Sequence, residues 1–505
     1  MRSFLKKLKY KVVSSAAEQI RRLRYPEKYK TLGFLCDYLG PDVKLNAKAQ
    51  AARNAIVYQI CTRDSWYVPK GSICYILHDK EAEAAMKKGC IALIAYRDLE
   101  GFPCIISDKP VEVYAKLCRY YRDLQKRVSI TGVTGSIGKS TVKSMIGLVL
   151  KTQFNTAFTK LNVNTKTSVG FSVQHIPPRA EKMVQEVHEG EPDETQYISE
   201  MLHPDIFVIT TIDNSHIEFF GSVERLTEEI CSVTKYMVPD GKVIVNIDEF
   251  DRFDLLNGRT AVTTSVGNPD ADFYAGNVQV CEEGLSFDVT VKQTGEHYNV
   301  LLHNIFALHN VACALYAFAA GYCNGVTPQN IVKGLGQYRT EGTRQNIVKT
   351  AGGVIVYADC FNAVARSMKA AIDACDSIPV SGKRIAVLGD VEEVGDLSET
   401  MHRDIVGYVD ASRFDILMTS GSKLKRAIES SPVRDSLSLV CLDSLEDLSM
   451  KIRETTRPGD LVLFKSSHSG SLDKCIVSVW PELEDDLVTD RETSFNAWKT
   501  KSLFY

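Results

Sequence analysis

Hydrophobic and polar positions change rhythm several times along the chain. In residues 1–30, Leu5, Leu8, Val12, Ala16, Ile20 and Leu23 recur at three- and four-residue steps, the spacing of one helix face. Between about 31 and 127, apolar runs at 56–61, 72–77 and 91–95 predict strands, while 81–88 and 110–125 predict helices. From Arg127 the alternation becomes strongly α/β. An apolar strand at 128–133 leads into a helix at 139–150 with Val142, Met145, Ile146 and Val149 on one face. Further strands are predicted at 183–187, 206–212 and 242–246, with helices between them, which is the pattern of a parallel sheet covered on both faces. Residues 271–302 alternate with period two and predict a small antiparallel insertion, followed by helices at about 306–321 and 327–336. A third unit begins near Ile347, with strands predicted at 354–358, 384–388, 415–419, 437–442 and 460–464. It reads as a second doubly wound α/β domain with an antiparallel edge.

Composition narrows this picture. A chain of 505 residues is too long for one core and suggests about three domains. Its 44% hydrophobic and 24% charged residues exclude a disordered chain, and a net charge of −3 gives no argument for nucleic acid. No apolar run reaches the ~18 residues of a spanning helix. Residues 311–323 are shorter, contain Tyr316, Gly321 and Tyr322, and read as a buried helix. The 14 cysteines sit singly in apolar stretches, as at Cys74, Cys313, Cys375 and Cys441, with no CxxC pair; a reduced, cytoplasmic chain is expected. Residues 1–30 hold ten Lys/Arg against Glu18 and Glu27 but no continuous apolar segment, so they do not form a signal peptide. A basic amphipathic helix over 1–24 either packs on its own domain or touches an anionic membrane surface.

The richest stretch chemically is Ile130-Thr-Gly-Val-Thr-Gly-Ser-Ile-Gly-Lys-Ser-Thr141, entered by a strand and left by a helix. That context is what a phosphate-binding loop requires. Gly135 and Gly138 let the backbone aim N–H groups at phosphate oxygens, Lys139 supplies positive charge, and the Ser140 hydroxyl can bind Mg²⁺. The match to GxxxxGK[ST] is imperfect, because Val133 stands where the first glycine belongs.

Thr134-Gly-Ser-Ile-Gly-Lys-Ser-Thr141 resembles the phosphate loop of the Mur ligases, ATP-dependent enzymes that join an amino acid or dipeptide to a carboxylate. Residues 204–222 resemble the segment that carries the family's metal-binding histidine, here His216, and Glu186 stands where the family has its metal-binding glutamate. His309-Asn310-Val311 is similar to the motif near the nucleotide base, and Gly342-Thr-Arg344 to the pair closing the central domain. Asp359-Cys-Phe-Asn362 with Ser367-Met368 resembles the segment that faces ATP from the C-terminal domain. Leu388-Gly-Asp-Val-Glu-Glu-Val-Gly395 with Ser398 and His402, and Gly459-Asp-Leu-Val-Leu-Phe-Lys-Ser-Ser467, are similar to motifs of the branch that adds D-alanyl-D-alanine to UDP-N-acetylmuramoyl-tripeptide.

This resemblance, over roughly 55–480, implies a three-domain α/β architecture. It divides the chain into a substrate-binding-like domain (31–127), a central P-loop ATPase domain with a parallel sheet (128–346) and a doubly wound C-terminal ligase domain (347–484), flanked by a basic extension (1–30) with no obvious counterpart in the family and by a polar tail (485–505). It implies ATP and Mg²⁺ as cofactors, small-molecule carboxylate and amine substrates (a UDP-linked muramoyl peptide among them), a monomer, and no nucleic-acid partner. Lys139, Glu186 and His216 would be catalytic, with Ser140, Glu186 and His216 on the metal. Thr134, Gly135, Ser136, Gly138, Lys139, Ser140, Thr141, Asn310, Arg344 and Asp359 would contact nucleotide. Asn362, Asp390, His402 and Lys465 would lie on the substrate side.

The chain departs from the family pattern at named positions. Ile230 replaces a carboxylated lysine, with Glu228 and Glu229 as neighbouring carboxylates whose side chains point differently. Cys313 replaces a second asparagine, and Val364 and Ala365 replace an Asn-Pro pair. The first domain keeps Arg63-Asp-Ser65 but lacks a longer Gly- and His-containing stretch after the strand at 72–77, which leaves the usual nucleotide-sugar substrate open. A Mur-like ligase acting on another carboxylate, such as poly-γ-glutamate, and a non-catalytic ATP-binding homologue are the alternatives.

Overall fold

The computed structural model describes residues 30–62, 68, 70–159, 163–213, 217–281, 283–340, 342–392 and 394–487. The basic segment 1–24, the 63–65 stretch, His216 and the tail beyond 487 lie outside the described residues.

Nine strands form the central sheet. Their spatial order is Glu296–His303, Gly284–Val291, Phe273–Cys281, Thr260–Val266, Lys242–Asn246, Ile206–Ile209, Ser129–Thr134, Lys182–Glu186 and Thr156–Phe158. The last seven of these run parallel, and the two hairpin strands at the other edge are antiparallel. Period-two alternation explains the two covered faces. Ile130, Met183, Phe207 and Val243 enter one core, whereas Val133, Val184, Val208 and Ile244 enter the other. On the second face the helix Lys139–Lys151 buries Val142, Met145, Ile146 and Val149 completely. Each such side chain contributes about 1.5–3 kcal/mol relative to exposure.

The expected antiparallel insertion is a continuation of this sheet. Thr264 and Val266 pair in parallel register with Phe273 and Ala275, which joins the hairpins to the main sheet. The intervening strand Thr260–Val266 has no counterpart among the sequence expectations, because its threonines and serine do not stand out as an apolar run.

A six-stranded sheet follows in the order Asn346–Lys349, Ile355–Asp359, Leu461–Lys465, Arg384–Leu388, Ile416–Thr419 and Ser438–Cys441, with the first pair antiparallel and the rest parallel. The antiparallel edge is the one the pattern predicts. Ahead of the central sheet, a five-stranded sheet runs Lys44–Leu45, Cys104–Ile106, Cys90–Ala95, Ser72–Tyr75 and Ile60–Thr62. It shares a core with the central unit through Val113, Leu117 and Tyr121 of the helix Pro110–Asp123. Gln174 ties the two by hydrogen bonds of 2.9 Å to both backbone groups of Ile60. Among the described residues, no helix is long and apolar enough to cross a membrane.

Candidate active site

Open α/β sheets expose their binding groups at the carboxyl ends of the strands. Ser129–Thr134 ends there, flanked in register by Glu186 and Val208 opposite Val133. Val133 is a fully buried strand residue whose carbonyl accepts from Val187 N–H at 2.8 Å, so the phosphate loop begins one residue later and needs no glycine at 133. Gly135 has φ +119°, and a side chain there would stand 2.3 Å from Thr210 Oγ1. Gly138 has φ +88°, the left-handed region glycine tolerates, and a Cβ there would stand 3.2 Å from Cys313 Sγ. Cys313 therefore packs beneath the loop, where burial pushes its thiol up to about 12.

Polar contacts to the buried carboxylates Glu189 and Glu186 organise the loop's chemistry. Lys139 Nζ donates to Glu189 Oε1 at 2.5 Å and also to the Gly135 carbonyl. Ser140 Oγ donates to Glu186 Oε2 at 2.8 Å. Asn164 Nδ2 donates to the other Glu186 oxygen at 3.0 Å, and the buried Lys143 Nζ lies 3.5 Å from Oε2. Burial alone would push the Glu186 carboxyl up. The charges of Lys143, Arg344 and Lys139 with the Ser140 hydroxyl outweigh it and hold the group below the usual carboxylate range. Beside it, His188 Nδ1 pairs with Glu194 Oε2 at 2.9 Å. Burial works downward on this imidazole, but Glu194 and Glu189 overcome it and leave it above its ordinary value.

The opposite wall comes from the C-terminal sheet. Asp359 and Lys465 close adjacent parallel strands in register, and their charged ends meet at 3.0 Å with little exposure. Lys465 also donates to the Asn362 carbonyl. Arg344 lies with its guanidinium carbon 3.6 Å from the centre of the Phe361 ring. Between the walls is a cleft of about 420 Å³ that touches Ser136, Gly138, Lys139, Ser140, Thr141, Glu186, Arg344, Asp359, Asn362 and Lys465. Thr134 and Gly135 lie just beneath this surface, in the strand end and the turn that carry it.

Three of the expected site residues are not brought into the cleft. Asn310 is buried and spends its amide on the Ala307 carbonyl at 3.1 Å and Gln345 Oε1 at 3.0 Å. It is His309 that reaches the cleft, accepting from Gln345 Nε2 at 2.9 Å. Asp390 accepts from the backbone N–H of Lys423 at 3.1 Å and of Leu424 at 2.9 Å, which caps the helix Ser422–Ser430. His402 is buried, with Nε2 accepting from Val391 N–H at 3.0 Å and Nδ1 donating to the Ser398 carbonyl at 2.6 Å. Both of its ring nitrogens are satisfied in the core. Ile230 is a fully buried core residue, Glu228 is exposed, and Glu229 binds the backbone N–H of Asp193 at 2.9 Å and of Thr195 at 3.0 Å. Glu229 thereby caps the helix Glu194–Leu202 instead of facing the loop.

Glu189, His188, Lys143 and Asn164 are site groups that the sequence does not announce. Glu189 looks like part of a solvated acidic run, yet it has no exposed side-chain surface. Lys143 had one signal, its position four residues after Lys139 on the same helix face. Asn164 had none.

The donor set suits a hard cation. Ser140 Oγ and Glu186 Oε2 are oxygen donors already in mutual contact, and the carboxyl is held ionised. These two residues would hold Mg²⁺, which supplies positive charge beside phosphate oxygens when bound.

Residues 133–321 match the Mur ligase middle domain, and residues 343–468 match the glutamate ligase domain of Mur ligases. The chain is 32% identical over 402 residues to the UDP-N-acetylmuramoyl-tripeptide–D-alanyl-D-alanine ligase of Bacillus subtilis, covering 78% of this chain and 86% of that protein. Identity to the Escherichia coli ligase of the same description is 26% over 346 residues, covering 68% and 75%. Among solved structures, MurF from Acinetobacter baumannii superposes with TM-score 0.74 at 22% identity, covering 84% of this chain and 93% of that one. A MurF ligase from Thermotoga maritima in complex with ADP gives TM-score 0.71 at 21% identity, covering 85% and 98%.

Proposed function

This chain belongs to the Mur ligase family, and on that premise we propose that it is an ATP-dependent amide ligase whose reaction is most like the D-alanyl-D-alanine-adding step of peptidoglycan precursor synthesis. One observation carries the reading. The phosphate loop with Lys139, Ser140 and Glu186, and the Asp359–Lys465 pair of the C-terminal sheet, line a single cleft.

A carboxylate and an amine do not condense at neutral pH, so an oxygen of the carboxylate must become part of a leaving group. In the proposed reaction a carboxylate oxygen of the substrate attacks the γ-phosphorus of ATP, the bond to the β–γ bridging oxygen breaks, and ADP departs. The amine then attacks the acyl carbon of the resulting acyl phosphate, the C–O bond breaks, and inorganic phosphate leaves while the amine loses a proton. Phosphoryl transfer of this kind is chiefly positioning and charge neutralisation. Lys139 and the backbone N–H groups of the loop would grip the terminal phosphates, and Arg344 and Lys465 would bring positive charge from the other wall. Closure of the two walls would exclude water from the labile acyl phosphate.

The domain division 31–127, 128–346 and 347–484, the site roles of Lys139, Ser140, Glu186, His216, Arg344 and Asp359, a cytoplasmic monomer, and surface contact of residues 1–24 with anionic lipid all belong to this proposal. Flotation with anionic liposomes, comparing the intact chain with one lacking residues 1–24, tests the last part. A second carboxylate substrate is favoured by one feature of the first domain. The strand Ser72–Tyr75 is followed almost at once by the turn Asp79–Glu81 and the helix Ala82–Lys88, with little chain left over to embrace a nucleotide-sugar. ADP release measured against panels of carboxylates and amines separates the readings. Stimulation only by muramoyl tripeptide with D-alanyl-D-alanine supports the first, stimulation only by another acid supports the second, and ATP binding without turnover on any panel would overturn both.

A further inference from the structure

The cysteines look scattered along the sequence, but the first domain gathers three of them. Cys61 lies in the strand Ile60–Thr62, Cys74 in Ser72–Tyr75, and Cys90 opens Cys90–Ala95. Cys61 and Cys74 are register partners on adjacent parallel strands, so their side chains share a face. Cys74 pairs with Leu93, and simple alternation back from Leu93 would put Cys90 on the opposite face. The register shifts between Ser72 and Ile73, so that Ser72 pairs with Cys90 while Ile73 pairs with Ala92. This irregularity changes the phase and turns Cys90 to the side of Cys61, Cys74 and Leu93, whereas Ile73, Ala92 and Ile94 face the other core. The three side chains are 1%, 1% and 5% exposed, and their sulfur atoms all lie within 4.8 Å of one another. Among the described residues this is the one group of three or more Cys, His, Asp or Glu side chains so arranged.

From this geometry we infer that Cys61, Cys74 and Cys90 form a binding site for a thiophilic d¹⁰ cation of the zinc type, with three protein sulfurs and a fourth position open to solvent. Tetrahedral ligation at about 2.3 Å needs sulfur separations of about 3.8 Å, so contraction by roughly 1 Å or less completes the site. A soft, all-sulfur donor set selects Zn²⁺ or Cu⁺ over Mg²⁺, which keeps this site chemically separate from the oxygen donors of the phosphate loop. A fourth ligand would approach from the Cys74 side. A cavity of about 320 Å³ reaches Cys74 and is bordered by Thr62, Glu81 and Lys88. Two thiols spend their protons on backbone carbonyls, Cys61 on Ile73 at 3.3 Å and Cys74 on Tyr75 at 3.6 Å. The consequence is a metal clip across three strands of the first domain, independent of the ligase chemistry.

The test uses the full chain, reduced and stripped of metal under anaerobic conditions, titrated with Co²⁺ as the optical probe and then with Zn²⁺. The expected result is one equivalent of Co²⁺ with thiolate-to-metal charge-transfer absorption of three-sulfur intensity, displaced by one equivalent of Zn²⁺. Cys74→Ser should lower the affinity by about 100-fold or more, while Cys104→Ser, on the neighbouring strand, should leave it unchanged. The wild-type titration stands even where a variant folds poorly. No stoichiometric charge-transfer signal, a signal that survives Cys74→Ser, or a Cys61–Cys74 disulfide in place of metal would overturn the proposal.

Discussion

Lys139 Nζ stands 2.5 Å from Glu189 Oε1, and the Glu189 side chain has no exposed surface. The phosphate-loop lysine is thus also the counter-ion of a buried acid whose second oxygen has no hydrogen-bond partner. Removing one member of such a pair strands a charge, at a cost of about 3–5 kcal/mol. Lys139→Ala should therefore lose ADP release by about 100-fold or more and also melt at a lower temperature. The double variant Lys139→Ala/Glu189→Gln should regain most of the stability and none of the turnover. Thermal melts and ADP assays on the three proteins check this; a single variant as stable as wild type would contradict the buried-pair account.

His402 predicts the reverse separation. Its imidazole satisfies Val391 N–H and the Ser398 carbonyl inside the C-terminal domain. His402→Ala leaves that buried N–H without a partner and should cost about 1–3 kcal/mol of stability. Nucleotide affinity of the folded fraction should stay unchanged. A denaturant titration beside an ATP-binding isotherm distinguishes this from a substrate-side role, in which KM would move and stability would not.

The residues that could be read in advance are those whose chemistry is local. A strand, two glycines, a lysine and a serine within twelve positions specify a phosphate loop, and Glu186 and Asp359 stand at strand ends that apolar runs mark out. What stayed hidden depends on distant partners. Glu189 is read as surface acidity until Lys139, fifty positions away, is folded against it. His402 and Asp390 carry the residue types of a site, yet one is a satisfied core histidine and the other a helix cap. The cysteine trio is invisible to spacing rules because three separate strands and a register shift assemble it.

His309 supplies a pH dependence. Burial lowers its pKa, and the Lys465 charge acts in the same direction while Asp359 opposes it. Its Nε2 accepts from Gln345, so a proton there would set N–H against N–H. A base with a depressed folded-state pKa contributes stability above its unfolded value, about 6.5, and that contribution is lost as pH falls through the folded value. Stability should therefore fall on acidification below about pH 6.5, with a slope of up to ~1.4 kcal/mol per pH unit from this group. His309→Gln should flatten that part of the profile. Chemical denaturation across pH 5–8 measures it, and identical slopes for both proteins would contradict the assignment.

Arg366 and Glu249 form an ion pair from the C-terminal to the central unit, with side chains 54% and 25% exposed. A pair so open to water is worth about 0–1 kcal/mol. Arg366→Ala should change the melting temperature little at moderate salt. A large loss would mean that this contact holds the two units together.

What the cleft is proposed to do is turn an acid into an acyl phosphate. With a carboxylate substrate labelled with ¹⁸O in both oxygens, turnover with ATP and amine should place one labelled oxygen in each inorganic phosphate released, detected by mass spectrometry. Unlabelled phosphate formed together with amide product would show that the carboxylate never attacked ATP, and would contradict the central claim.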